Sequence, residues 1–356
     1  MNMRAPHARR GDSLTSAISL GEKLFSTASE RRFADKLEQG LRAVEAGLMR
    51  EMTFADSLAD VTSRYLLDAG GKRVRPTLTL LTAQLGMGNT PQVIIAAQAM
   101  ELTHLASLYH DDVMDEAELR RGVPSAQSVF GNSVAILTGD LLFARAGSLV
   151  AGLGSAAIGL QARTFERLCL GQLHETIGPK SGEDPIEHYL RVLADKTGSL
   201  IAAAAEAGVV YSDAPEEYRQ PMLTFGEKIG VAFQLIDDVI DLSGEAGETG
   251  KAPGTDLRSG VATLPLLYLR RLAPTDSAAA DLVNRIDTEV DTAGLGGEEA
   301  LTEAIAELRR HEVTHETLAE AHRWAREAVE ALDILPAGPV KKALIRFADT
   351  IVERSK

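Results

Sequence analysis

A chain of 356 residues has room for one large helical core or two ordinary domains. Its 45% apolar and 25% charged residues exclude an extended disordered protein, and with only 4% aromatics the core must be built mainly from Leu, Ala, Ile and Val. A formal charge of −14 excludes nucleic acid as the main partner, because a phosphate backbone requires a basic face; small anions can still be met by a few clustered cations or by metal-bearing carboxylates.

Cys169 is the only cysteine, so the sequence offers no disulfide framework and no cysteine-built metal site, in keeping with a reducing cytoplasm. No run of about 20 uncharged apolar residues is evident, which implies no membrane span and at most peripheral membrane contact. The opening MNMRAPHARRGD is basic and lacks the apolar stretch of a secretion signal. Residues 1–29 therefore read as a disordered tail, and 30–356 as one domain.

Helical periodicity dominates along the chain. It predicts helices near 30–50, 55–68, 75–85, 91–115, 124–131, 133–151, 155–178, 185–209 and 215–243. Further helices fall near 263–272, 276–290, 298–310, 314–332 and 338–354. Thr90-Pro91 and Asp184-Pro185 each set a capping side chain before a proline at the first helical position. LIAAAAEAGVV at 200–210 is apolar nearly all round, as a helix inside a bundle would be. The Gly-rich, charged stretch 243–263 reads as a flexible connection or a lid.

One pattern repeats. Asp111-Asp112-Val113-Met114-Asp115 and Asp237-Asp238-Val239-Ile240-Asp241 are both D-D-x-x-D at the C-terminal end of an apolar helix. Residues four apart share a helix face, so Asp111 points with Asp115 and Asp237 with Asp241, flanked by Asp112 and Asp238. Such carboxylates repel one another and oppose the helix macrodipole unless cations lie between them. One copy alone reads as a solvated helix end; two copies, each behind an apolar run, point to a site for a hard cation such as Mg²⁺. The complementary charge is also present. Gly70-Gly71-Lys72-Arg73-Val74-Arg75-Pro76 places three cations between a flexible pair and a helix start, and Arg120-Arg121 follows the first acidic cluster. Together they form an anion site of a kind that suits diphosphate.

At this point the chain resembles the trans-isoprenyl diphosphate synthases, or polyprenyl synthetases. GGKRVRP, LYHDDVMDEAELRRG, the Lys196-Thr197 pair, FQLIDDVID and GKAPGTDL stand in the family's order, over roughly 60 to 350. The resemblance implies an all-α, single-domain helical bundle of the isoprenoid synthase type with a central substrate cavity, usually a homodimer. It implies two or three Mg²⁺ ions held by Asp111, Asp115 and Asp237, with Asp112, Asp238 and Asp241 in support. Lys72, Arg75, His104 and Arg121 would hold isopentenyl diphosphate. Arg120, Lys196, Thr197, Gln234 and Lys251 would hold the allylic diphosphate, which is geranyl, farnesyl or geranylgeranyl diphosphate. Asp111, Asp115, Asp237 and Lys196 form the implied catalytic set. His104 lies seven residues before Asp111, two turns back on the same face. The chain departs from the family at Val261, which follows Gly260 where many members carry lysine.

The reaction so implied is ionisation of the allylic diphosphate, attack by the isopentenyl double bond and loss of a proton, inside a cavity that excludes water. The growing tail would run down the helix that ends at Asp111, past Ser107 and Ala106, where bulky aromatics in the family close the tunnel. Small residues leave it open, and at roughly 0.8 kcal/mol per buried CH₂ an open tunnel favours long products, of about seven to nine isoprene units for quinone side chains. The competing readings are a shorter-chain farnesyl or geranylgeranyl diphosphate synthase and a subunit of a heteromeric synthase. A terpene cyclase lacks the GGKR loop, and a His-Asp phosphohydrolase, suggested by His110-Asp111, needs further histidines upstream.

Overall fold

The computed structural model describes residues 28–243, 254–292 and 298–353. Its helices follow the predicted order: α1 (Ala28–Glu51), α2 (Ser57–Asp68), α3 (Val74–Ala83), α4 (Pro91–Met114), α5 (Ala126–Phe130), α6 (Asn132–Ala151) and α7 (Ser155–Ile177). They continue as α8 (Pro185–Leu193), α9 (Ser199–Tyr211), α10 (Arg219–Ser243), α11 (Thr255–Arg258), α12 (Leu264–Leu272), α13 (Ser277–Thr292), α14 (Glu298–Arg310), α15 (Glu312–Glu330) and α16 (Pro339–Val352). The all-α expectation is met. The expected N-terminal tail lies almost wholly outside the described residues, as does the middle of the Gly-rich stretch, including Lys251.

Two compact units emerge. The first comprises the described part of Met1–Thr164 with Leu200–Leu223 and Ile334–Leu344; the second comprises Phe165–Ser199, Thr224–Asp333 and the described part of Ile345–Lys356.

Helix α4 is the axis of the first unit. Thr90 caps it by accepting a hydrogen bond from the Val93 amide (3.1 Å), and the same hydroxyl donates to the Tyr211 carbonyl at the end of α9 (2.7 Å). Its alanines and leucines are buried almost all round, packed against α6, α3 and α1. This is the expected behaviour of a helix with no polar stripe. The last turn of α4 is fixed by Tyr109, which is fully buried: its hydroxyl donates to the Thr62 carbonyl of α2 and accepts from the Leu66 amide.

After α4 the chain makes a feature that the periodicity did not predict, a hairpin of two-residue strands β1 (Leu119–Arg120) and β2 (Val123–Pro124). Its turn residues Arg121 and Gly122 both take positive φ, the geometry of a tight two-residue hairpin turn. Tyr65 holds the hairpin, donating to the Pro124 carbonyl (2.7 Å) while its ring meets Phe130 edge-on.

In the second unit Asp184 caps α8 through the Ile186 and Glu187 amides, with Pro185 at the first helical position as read from the sequence. The single helix predicted over 185–209 is broken, however, by a five-residue π-helical turn at Ala194–Gly198. Helix α10 buries Phe225, Ile229, Ala232, Leu235 and Ile236, which holds its acidic end in a fixed setting. Helix α12 packs against α8, α13 and α15.

One helix, α6, is long and apolar enough to cross a membrane by length and composition, although it carries Asp140 and Arg145 and a third of its apolar window is buried. Those two charges interrupt the apolar run, in line with the expectation that no stretch of about 20 uncharged apolar residues occurs.

Candidate active site

The first acidic motif closes α4 in the first unit. Its middle residue, Asp112, is 0% exposed and accepts a hydrogen bond from Arg120 Nε of the hairpin (2.6 Å). Asp111 is half-buried and Asp115 exposed, and the Asp115 amide caps the helix on the Asp111 carbonyl. One aspartate of the trio is therefore built into the protein while the outer two reach the surface. His110 turns to α6 instead, with Nε2 against the Ile136 carbonyl (3.0 Å) and its ring edge-on to Phe143. The same nitrogen lies 3.4 Å from the Asp140 carboxylate, so His110 is engaged by α6.

A cationic group surrounds His104. Arg75, Arg121, Arg73 and Arg120 all act on its imidazole, and burial together with those charges holds it well below the usual histidine range, hence neutral at pH 7. Burial pushes the guanidinium of Arg75 down to about 10, offset in part by Glu101 and Asp111. Its Nε is buried without a hydrogen-bond partner. A buried guanidinium edge left without an acceptor is costly unless an anion completes it. Arg121 is likewise pushed down to about 10 by burial and donates to the carbonyls of Leu66 and Gly70. Arg75, Arg121, Arg120 and the neutral His104, four of the residues expected to meet diphosphates, are thus brought together with Asp111 and Asp112. Lys72, in the same loop, is exposed.

The remaining expected residues lie in the second unit. Asp238 is 1% exposed and accepts from the hydroxyl of Tyr189 (2.7 Å); burial raises its carboxyl well above the usual range, with Asp256 and Asp237 adding to the effect. Asp241 receives the amides of Thr255 (3.2 Å) and Asp256 (3.1 Å) at the start of α11. Asp237 is half-buried. Lys196 projects from the π-helical turn and pairs with Glu175 on α7; Thr197 and Gln234 are half-buried.

Along α4, Ala106 is fully buried in the core and Ser107 nearly so, its hydroxyl donating to the His104 carbonyl. One turn deeper, Thr103 accepts from Gln161 of α7 (2.7 Å).

Among the described residues no three His, Cys, Asp or Glu side chains enclose a metal position. The donor set nevertheless fits magnesium, which keeps several waters and bridges to substrate phosphates, so that it needs a few carboxylates and no closed cage. Each unit carries carboxylates of the hard-oxygen kind, Asp111 and Asp115 in the first and Asp237 in the second, while the middle aspartates accept from Arg120 and Tyr189. Sequence reasoning missed Glu175, Tyr189 and Glu101, since nothing in their local surroundings marks them.

The polyprenyl synthetase family profile matches residues 57–293. A nonaprenyl diphosphate synthase of Mycobacterium tuberculosis is 39% identical over 344 residues, covering 96% of this chain and 98% of that protein. A heptaprenyl diphosphate synthase component 2 of Geobacillus stearothermophilus is 34% identical, covering 89% of this chain and 97% of that protein. Among solved structures, a polyprenyl synthase from Caulobacter crescentus, complexed with calcium and isoprenyl diphosphate, superposes with a TM-score of 0.81. It is 29% identical, with 98% of this chain and 100% of that one covered.

Proposed function

Because the chain belongs to the polyprenyl synthetase family, we propose that it is a prenyltransferase that condenses isopentenyl diphosphate with an allylic diphosphate to give a long all-trans polyprenyl diphosphate. The observation that carries this reading is the cationic group of the first unit, where Arg75 presents a buried, unsatisfied Nε beside Arg121 and neutral His104. Such a group takes a diphosphate without metal and is assigned to isopentenyl diphosphate, together with Lys72.

The allylic diphosphate falls to Arg120, Lys196, Thr197, Gln234 and Lys251 and to the carboxylates. Two or three magnesium ions, held by Asp111, Asp115 and Asp237, would supply charge neutralisation on the departing diphosphate. The protein's own part is positional. Asp112 and Asp238 keep the ends of α4 and α10 in place, and Asp241 ties α10 to α11. Lys196 offers its ammonium to the developing negative charge, and the apolar faces of α4 exclude the water that would quench an allylic cation. Loss of the proton from the adduct completes the condensation, with the released diphosphate as a suitable base.

A long product is supported by the small residues Ala106 and Ser107 and by the names of the relatives, nonaprenyl and heptaprenyl diphosphate synthases, which point to about seven to nine isoprene units. The test is incubation of purified protein with farnesyl diphosphate, labelled isopentenyl diphosphate and Mg²⁺, followed by product sizing. Products in that range are expected, with no turnover in chelator. A dominant product of three or four units would establish the short-chain reading. Turnover that appears only with a second polypeptide would establish a heteromeric synthase, the arrangement suggested by the name component 2.

A further inference from the structure

Of the arginines around His104, Arg73 faces away from the proposed diphosphate site. It precedes α3 in the left-handed conformation (φ 51) and is 5% exposed. Its guanidinium donates from Nε to Glu45 of α1 and from Nη1 to Glu101 of α4 and to the Gly70 carbonyl, both at 3.2 Å. From Nη2 it reaches the Leu67 carbonyl at 3.4 Å. All three nitrogens are therefore engaged by protein, and none is turned outward to an anion. Its neighbours in the loop differ: Lys72 is exposed and Arg75 has a buried Nε without an acceptor.

Glu101 is 1% exposed and is the buried carboxylate whose charge acts on Arg73, Arg75 and Arg121 alike. Without it, neighbouring guanidiniums would repel one another in a medium that screens poorly. The loop also closes tightly over this pair. Gly71 takes φ +145, a conformation that favours glycine, and a Cβ there would lie 2.6 Å from Arg73 Nη1 and 2.9 Å from Arg121, displacing both guanidiniums. The planar fork matters as much as the charge, because a lysine ammonium cannot address α1, α4 and the end of α2 at once.

We propose that Arg73, with Glu101 as its buried counter-charge, is the positioning residue of the metal-free diphosphate site. It ties the loop 70–76 to α1, α2 and α4, and so sets where Lys72 and Arg75 meet isopentenyl diphosphate, without touching the substrate itself. The inference rests on the condensation reaction proposed above.

Steady-state kinetics with each substrate varied in turn, on Arg73→Lys, Glu101→Gln and the double variant, tests it alongside thermal melts. Arg73→Lys is expected to raise KM for isopentenyl diphosphate about tenfold or more, while KM for the allylic diphosphate stays within about twofold. The double variant is expected to be no worse than the more damaged single one, because both changes break the same contact. Should Arg73→Lys fail to fold, Glu45→Gln, at the outer end of the same network, carries the same expectation at about threefold. Equal rises in both KM values, a loss confined to kcat, an unchanged isopentenyl KM or fully additive effects would each overturn the assignment. Wild-type protein that does not consume isopentenyl diphosphate would bring down the reaction itself, a result visible before any variant is measured.

Discussion

Asp112 and Asp238 hold equivalent places in the two copies of one motif, and each is buried against a partner of its own, Arg120 for the first and Tyr189 for the second. Asp111, Asp115, Asp237 and Asp241 are exposed or half-buried, and Asp241 already receives the amides of Thr255 and Asp256. Removing an outer aspartate and removing a middle one should therefore do different things. Asp111→Ala or Asp237→Ala is expected to lower kcat by about 100-fold or more, the scale of losing a charge-stabilising group, with a melting temperature close to that of the wild type. Asp112→Ala leaves Arg120 without its buried carboxylate and is expected to destabilise the first unit by about 3 kcal/mol as well as impair turnover. Kinetics and thermal melts on the same preparations check both, and an Asp237→Ala protein with full activity would remove the metal reading. The outer residues were legible in the sequence because a D-D-x-x-D repeat is visible in one dimension. The long-range pairs were not: Tyr189 and Asp238 are 49 residues apart and Arg73 and Glu101 are 28 apart, so only the folded chain joins them.

At the scale of elements, the caps and the apolar periodicity gave nearly every helix within a few residues, since Thr90, Asp184 and the prolines after them act locally. The hairpin, α11 and the π-helical turn escaped notice because two to five residues carry no period, and the π-helical turn also depends on what packs against it. Gly171 on α7 is that neighbour. A Cβ there would lie 2.6 Å from the Lys196 amide nitrogen and 3.0 Å from the Lys196 Cα, both backbone atoms that cannot swing aside. Gly171→Ala must therefore push the turn that carries Lys196 and Thr197. The expected outcome is about 1–3 kcal/mol of lost stability from overpacking. It is accompanied by a rise of about tenfold in KM for the allylic diphosphate, while KM for isopentenyl diphosphate stays nearly constant. Substrate-resolved kinetics separates this from general damage, which would move both constants together.

For the molecule as a whole, helix α6 raises the question of what covers it in solution. It is apolar enough to pass for a membrane span, yet Ile136 and Leu137 are 41% and 66% exposed and the helix carries Asp140 and Arg145. A helix crossing a bilayer would have to bury both charges in hydrocarbon, at about 2.5–3.5 kcal/mol each on insertion scales. A protein surface met by a second copy can leave the same charges at a wet rim while covering the leucine and isoleucine, and a symmetric interface needs only one such patch per chain. A homodimer, the assembly that the family resemblance implies, would place α6 at its seam. Sedimentation velocity without detergent should give twice the chain mass of 38.1 kDa. Leu137→Glu, which sets a carboxylate against its own symmetry-related copy, should shift that species to monomer with little change in melting at high dilution. A wild-type chain that sediments as a monomer and floats with lipid vesicles would instead assign the face of α6 to the membrane.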